Sequence, residues 1–120
     1  HILQPTSWRR TMTYVVDIDG TICEKSPGND YTKAVPLHNR IKIVNQLYDD
    51  GHNIVYLTAR GMGRHNNDAE KAIAQFYDMT AKQLDSWGAK YHTLMLGKPA
   101  GDFYIDDKGI NAHVYFESGS

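Results

Sequence analysis

The sequence predicts an α/β fold, a doubly wound parallel β-sheet with helices on both faces. Several short apolar runs each end at a polar or charged residue. This is typical of strands in open α/β sheets, where the chemistry lies at the carboxyl ends of the strands. Between these runs, apolar residues recur at helical spacing. Strands that alternate with helices are joined by right-handed crossovers, and such crossovers make neighbouring strands parallel.

The first predicted strand is Tyr14–Val16, and two carboxylates, Asp17 and Asp19, follow it directly. At the carboxyl end of a buried strand, with Gly20-Thr21 forming a turn behind them, one carboxylate can attack as a nucleophile while the other handles protons. Asp-Gly pairs are also common in turns. These residues alone therefore suit a simple strand end equally well.

The next stretch, residues 24–32, is rich in Ser, Pro, Gly, Asn and Asp and has no periodicity. It predicts a loop or small hairpin that lies over the active end of the sheet. Pro36 then opens a helix whose apolar positions continue to Tyr48, and Gly51 provides a left-handed stop.

Residues 53–57 form the second predicted strand, which ends at Thr58. Two capping-box patterns follow, at Asn67–Glu70 and Thr80–Gln83. The segment up to Gly88 is therefore either one interrupted helix or two consecutive helices.

The last third of the chain contains three more apolar runs. Residues 91–96 predict a strand followed by Gly97-Lys98-Pro99, and residues 102–105 predict a strand followed by Asp106-Asp107. The remaining run, residues 113–116, is consistent with a short final strand.

Taken in order, the DxDGT pattern at residues 17–21, then Thr58, Lys98 and the pair Asp106-Asp107 resemble the four motifs of the haloacid dehalogenase superfamily of phosphotransferases. The resemblance spans residues 13–110. Within the superfamily the chain is most similar to the small phosphatases of bacterial capsule biosynthesis. This resemblance implies a Rossmann-like sheet of about five strands in the order 5-4-1-2-3. No segment is long enough for a cap domain.

The acidic residues suggest a metal site. A phosphate monoester repels a carboxylate nucleophile unless a cation intervenes, and clustered aspartates suit Mg²⁺, which prefers oxygen ligands. The resemblance implies that Asp17 attacks phosphorus and binds Mg²⁺, with the carbonyl of Asp19 and the side chain of Asp106 as further ligands. Asp107 would act through water or hold Lys98. Alternatively, Asp106 and Asp107 simply cap a turn.

The remaining motif residues have roles in phosphoryl transfer. Asp19 can protonate the leaving alkoxide and then activate water against the aspartyl-phosphate, which hydrolysis needs. Lys98 offers a positive charge to the transferred phosphate and Thr58 a hydroxyl, while backbone N–H groups near Asp19 and Ala59 complete the cradle.

The expected activity is that of a Mg²⁺-dependent phosphomonoesterase acting on a sugar phosphate in polysaccharide or capsule biosynthesis. Candidates for substrate specificity are Tyr31, Arg60, Arg64 and His65. Two alternatives stay open: a phosphatase for nucleotides or nucleic-acid 3′ ends, and a noncatalytic regulatory domain of a larger biosynthetic enzyme. A capless site is open to water, so we expect a homo-oligomer or a large substrate to supply the missing walls.

The composition of the chain argues against nucleic acid and membranes as partners and bears on its expected location. The net charge of −1 provides no basic field for nucleic acid or membranes. The single cysteine, Cys23, fits a reducing compartment, and no apolar run is long enough for a membrane helix, so a cytoplasmic location is expected. The predicted domain covers residues 12–116, with residues 1–11 as an extension or the tail of a preceding domain and 117–120 as a tail.

Overall fold

The computed structural model describes residues 10–117, so the predictions for residues 1–9 and 118–120 lie outside the described residues. A three-stranded parallel sheet forms its centre, in the order β1 (Thr13–Asp17), β2 (Asn53–Thr58) and β3 (Thr93–Leu96). Its register places Asp17 beside Leu57, and Thr58 beside Leu96. The carboxyl ends of all three strands therefore meet at one edge of the molecule.

Three α-helices accompany the sheet: α1 (His38–Asp49), α2 (Ala69–Ser86) and α3 (Ala112–Glu117). The crossover from β1 to α1 contains two short 3₁₀ helices, Pro27–Asn29 and Tyr31–Lys33, in the segment predicted as a loop. No helix within residues 10–117 is long and apolar enough to cross a membrane.

The core lies between the helices and one face of the sheet. Ile54, Tyr56 and Leu94 on that face belong to the same buried cluster as side chains of all three helices, among them Val44 of α1, Leu84 of α2 and Phe116 of α3. On the opposite face Val15 and Met95 are half exposed. The prediction of helices on both faces is therefore wrong for the described residues. Two consecutive right-handed crossovers in the order 1-2-3 leave both helices on one side.

The predicted fourth and fifth strands are not formed in the described chain. Residues 102–105 have no regular secondary structure, and residues 113–116 lie within α3. Only five residues, 97–101, separate β3 from the predicted fourth strand, whereas a parallel crossover takes a dozen or more. At the position of the predicted fifth strand, the Asn111 side chain accepts hydrogen bonds from the N–H groups of His113 and Val114. This cap begins a helix instead of a strand.

The second helical segment is one continuous helix, α2, and neither capping-box pattern marks its start. Its cap is Asp68, whose carboxylate accepts from the N–H of Lys71. Thr80 is fully buried in the middle of the helix, where its hydroxyl accepts a hydrogen bond from Arg60. The Thr80 hydroxyl thus makes a tertiary contact and does not cap a helix. The local sequence alone cannot distinguish these two roles.

Candidate active site

A cleft of about 760 Å³ opens at the carboxyl ends of the strands. Its walls come from the ends of β1 and β2, the segment between β1 and α1, and the segments that follow β2 and β3. The lining includes eight of the predicted site residues, namely Asp17, Asp19, Tyr31, Thr58, Ala59, Arg60, Arg64 and Lys98. The structure therefore brings most of the predicted residues together.

Asp17 occupies the last position of β1, and its carboxylate is held on two sides. The Thr21 hydroxyl donates to its Oδ2 at 3.2 Å, and the Lys98 ammonium lies 3.5 Å from its Oδ1. Burial raises the pKa of Asp17 above its ordinary value, while the charge of Lys98 and the hydrogen bond from Thr21 oppose that shift. One third of the side chain remains exposed, so a ligand in the cleft can reach it.

Asp19 makes a bidentate ion pair with Arg60. The guanidinium Nε lies 2.9 Å from one carboxylate oxygen and Nη2 lies 3.0 Å from the other. The Arg60 side chain has no exposed surface, whereas about a fifth of the Asp19 side chain is exposed. A planar guanidinium matches a carboxylate in this two-pronged geometry, which a lysine could not reproduce.

The rest of the Arg60 guanidinium is surrounded by protein groups. Its Nη1 donates to the Thr80 hydroxyl at 3.3 Å, and the Tyr31 ring lies 4.8 Å from its central carbon. Arg60 was predicted to contact substrate, but the structure gives it a different place. It is buried behind Asp19, where it fixes that carboxylate.

Tyr31 and Thr58 both support the backbone that follows β2. The Tyr31 hydroxyl accepts from the N–H of Gly61 at 3.0 Å, and the Thr58 hydroxyl accepts from the N–H of Arg60 at 3.1 Å. Thr58 is almost fully buried at the edge of the cleft, where it was expected, and its contact with a phosphate stays a prediction. Tyr31 anchors the segment before α1 to the segment after β2.

Several residues of the site were not predicted, and three of them bear on its electrostatics or on the position of Asp17. Thr21 holds Asp17, Lys25 adds a cation to the cleft, and Tyr104 places its ring 4.1 Å from the Lys98 ammonium. Thr21 is the last residue of the DxDGT pattern, so its spacing could have identified it. Lys25 lies in the loop expected over the site. Nothing in the local sequence pairs Tyr104 with Lys98.

Three predicted residues lie outside the cleft. His65 hydrogen-bonds Gln75 at 2.6 Å. Asp106 and Asp107 are exposed, and the Asp106 carboxylate accepts from the N–H groups of Lys108 and Gly109 at 2.6 Å each. These bonds lower the pKa of Asp106. The alternative reading of Asp106 as a turn cap thus describes its place in this chain.

Of the two side chains that the resemblance implies as Mg²⁺ ligands, Asp17 lies at the cleft and Asp106 does not. Asp17 offers a carboxylate, but the Asp19 carboxylate is paired with Arg60 and Asp106 caps a separate turn. Among residues 10–117, no three His, Cys, Asp or Glu side chains are grouped so that they could hold a metal ion. Mg²⁺ keeps several waters and is bound through one or two carboxylates and substrate phosphate oxygens, so Asp17 and the Asp19 carbonyl are the groups at the cleft that could hold it.

Comparison with known proteins gives one strong likeness. No family model and no curated protein matches the chain. A crystal structure of a structural genomics target from Vibrio cholerae, 25% identical in sequence, matches 91% of this chain and 90% of its own with a TM-score of 0.82. The chain is therefore similar in fold, over nearly its whole length, to a bacterial protein whose description states no activity.

Proposed function

We propose that the protein is a phosphomonoesterase of the haloacid dehalogenase type, with Asp17 as the nucleophile. The observation that carries this proposal is the ion pair of Asp17 with Lys98, 3.5 Å apart, at the carboxyl end of the first strand in an open cleft. A lysine beside a carboxylate nucleophile can also attract an anionic substrate to that nucleophile. A phosphate ester is an electrophile of this kind.

The charges around the cleft favour an anionic ligand. Lys25, Arg64 and Lys98 line it, and they outnumber the one carboxylate, Asp17, that is not already paired with Arg60. A phosphoryl group near Asp17 would accept hydrogen bonds from the Lys98 ammonium and the Thr58 hydroxyl. Fixed donors of this kind stabilise the charge that develops on the phosphoryl oxygens.

The reaction would proceed in two steps. First, an oxygen of Asp17 forms a bond to phosphorus as the ester oxygen leaves, and the leaving oxygen takes a proton from Asp19. In the second step, Asp19 accepts a proton from a water molecule that attacks the same phosphorus. This releases inorganic phosphate and restores the carboxylate of Asp17.

The ion pair of Asp19 with Arg60 favours a second candidate function. Both oxygens of the Asp19 carboxylate accept hydrogen bonds from the Arg60 guanidinium, whereas a general acid must bring an oxygen within reach of the leaving group. If the pair stays closed with ligand bound, the cleft would bind a phosphate ester without turning it over. The chain would then be a noncatalytic regulatory domain.

For the substrate we propose a sugar phosphate of polysaccharide or capsule biosynthesis. The cleft of about 760 Å³ accommodates a ligand of that size. Hydroxyl groups of a sugar can reach the polar loop residues Ser26 and Asn29 and the side chain of Arg64, all of which line the cleft. A mononucleotide would fit the same volume, whereas the net charge of −1 argues against a polynucleotide.

A panel of phosphorylated metabolites, assayed for phosphate release with Mg²⁺ and after exhaustive chelation, tests the proposal. We expect release from sugar phosphates that requires Mg²⁺ and is lost in Asp17→Asn. Asp85→Asn, an exposed position in α2, is the matched control. Binding of sugar phosphates by calorimetry without any turnover would favour the noncatalytic function. Turnover that is indifferent to chelation would contradict the metal requirement.

A further inference from the structure

We propose that two copies of the chain exchange a strand, so that residues 102–105 of one copy pair with the edge of β1 in the other. Within residues 10–117, β1 pairs only with β2. β1 ends at Asp17, the proposed nucleophile, and its other edge pairs with no strand of the described residues. An unpaired edge of this kind is a template for strand addition.

The segment that follows Lys98 has the composition of a strand, but its large apolar side chains are exposed. We call residues 99–111 the arm. Phe103 is 86% exposed and Ile105 is 97% exposed, and Tyr104 and Ile110 are more than half exposed. Four large apolar side chains within eight residues form an apolar stretch of the kind that marks an interaction site.

The connection to β3 is too short for the arm to fill this position in its own chain. If Tyr104 lay parallel beside Val15 of its own chain, residue 102 would be three strand spacings away from β3, about 14 Å, and five residues, about 16 Å, below the level of Leu96. A straight path through the protein would then already take about 21–22 Å. Six Cα steps from Leu96 reach about 20–22 Å, which leaves no length for passing around the sheet.

A second copy removes this restriction, because the arm then starts from another molecule. The exchange is reciprocal about a two-fold axis, so each copy donates one arm and accepts one. It would also bring apolar arm residues towards Val15, which is 59% exposed on the open face of the sheet. The exchange would break the contact of Tyr104 with Lys98 and two hydrogen bonds of the Tyr104 hydroxyl, one donated to the Pro99 carbonyl and one accepted from the N–H of Gly101.

The exchange would supply what the single chain lacks at its site. If Tyr104 of one copy lies beside Val15 of the other, a parallel register places Asp106 beside Asp17, two residues further along each strand. Asp106 would then add a second carboxylate to that of Asp17. This part of the inference rests on the proposed function, since a carboxylate beside Asp17 affects turnover only if Asp17 is the nucleophile.

Cysteine cross-linking tests the exchange without any assay of activity. Val15→Cys and Tyr104→Cys chains, one of them carrying a larger tag, are coexpressed, purified and oxidised. We expect a disulfide-linked species with the mass of both chains and a dimer by light scattering. The wild type is the control, because its only cysteine, Cys23, is buried. Oxidation of the doubly substituted chain to an internally bridged monomer would show pairing within one chain and overturn the inference. A monomer that forms no cross-link would overturn it as well.

Complementation tests whether the donated arm completes the site. In coexpressed Asp17→Asn and Asp106→Asn chains, the exchange places both defects in one site of each mixed dimer and none in the other. Activity should recover to about one quarter of wild type. Asp17→Asn with Asp19→Asn is the matched control and should not recover, since both residues belong to the same copy. Cross-linking with no recovery would reject the role of Asp106 while keeping the exchange. If the wild type itself has no activity, the proposed function fails and cross-linking alone decides the exchange.

Discussion

Arg60 and Asp19 form a two-pronged ion pair, with nitrogen to oxygen distances of 2.9 and 3.0 Å, in which the arginine side chain has no exposed surface. The pair joins the segment after β1 to the segment after β2, and so fixes the relative position of the two walls of the cleft. It also places a permanent positive charge directly behind the proposed general acid. The same contact therefore stabilises the fold and sets the surroundings of the proposed general acid.

Breaking this pair should cost much more stability than breaking an exposed one. Removing one partner of a buried ion pair leaves the other charge uncompensated, so Arg60→Met and Asp19→Asn should each lower the free energy of unfolding by about 3–5 kcal/mol. The double variant should lose less than the sum of the two. Urea denaturation measures all three. Asp49→Asn, which breaks the exposed pair of Asp49 with Lys90 at 2.8 Å, should cost less than about 1 kcal/mol. Equal losses at both pairs would contradict this account.

Replacing the proposed nucleophile should abolish turnover and leave the fold intact. Asn at position 17 keeps the shape of the side chain and can still accept from Thr21, but an amide is a poor nucleophile. Phosphate release from the best substrate of the panel should fall below a few per cent of wild type, with an unchanged circular dichroism spectrum. Higher residual activity in a sample free of wild type would remove Asp17 from this role.

Asp19→Asn should slow turnover and trap the intermediate. Proton transfer by a positioned acid or base contributes typically about 10²- to 10⁴-fold, so the loss in rate should lie in that range. Phosphorylated Asp17 should accumulate and be detectable by mass spectrometry after rapid quenching. The assay temperature must stay below the lowered melting point of this variant. Normal turnover would place the acid elsewhere.

Gly61 should not tolerate a side chain. Its φ is +80°, and a Cβ there would lie 2.6 Å and 2.8 Å from two ring carbons of Phe76. Gly61→Ala should therefore destabilise the protein by roughly 2–4 kcal/mol, from backbone strain and overpacking together. Gly63 is the matched control, because nothing lies within 4 Å of a Cβ built there. Thermal denaturation of both variants should show a large shift only for Gly61→Ala.

Cys23 should be unreactive in the folded protein. Burial raises the pKa of its thiol to about 12, and only the thiolate reacts with electrophiles. At pH 8 a thiol reagent such as dithionitrobenzoate should label the native protein far more slowly than the protein in urea, by at least tenfold. Above about pH 9 the unfolded thiol ionises while the folded one does not, so the contribution of Cys23 should lower stability as pH rises. Rapid labelling of the native protein would show that reagent reaches the Cys23 thiol in the folded state, and would contradict the prediction.

Local sequence patterns were sufficient to predict three strands and the residues at their carboxyl ends. The apolar runs at residues 14–16 and 53–57 are strands with Asp17 and Thr58 at their carboxyl ends, as predicted, and the third strand lies within 91–96. Because parallel strands end at the same edge, knowing the strand ends was enough to group Asp17, Asp19, Thr58 and Lys98 around one cleft.

Positions that depend on partners distant in sequence became clear from the packing of the folded chain. Arg60 was expected at the substrate, but Asp19, Thr80 and Tyr31 enclose it from different elements. Residues 102–105 have the pattern of a strand, yet their short connection to β3 leaves them without a neighbour in the described chain. A local sequence pattern indicates which secondary structure a segment favours. The length of its connections and the packing of the chain determine which partner the segment can reach.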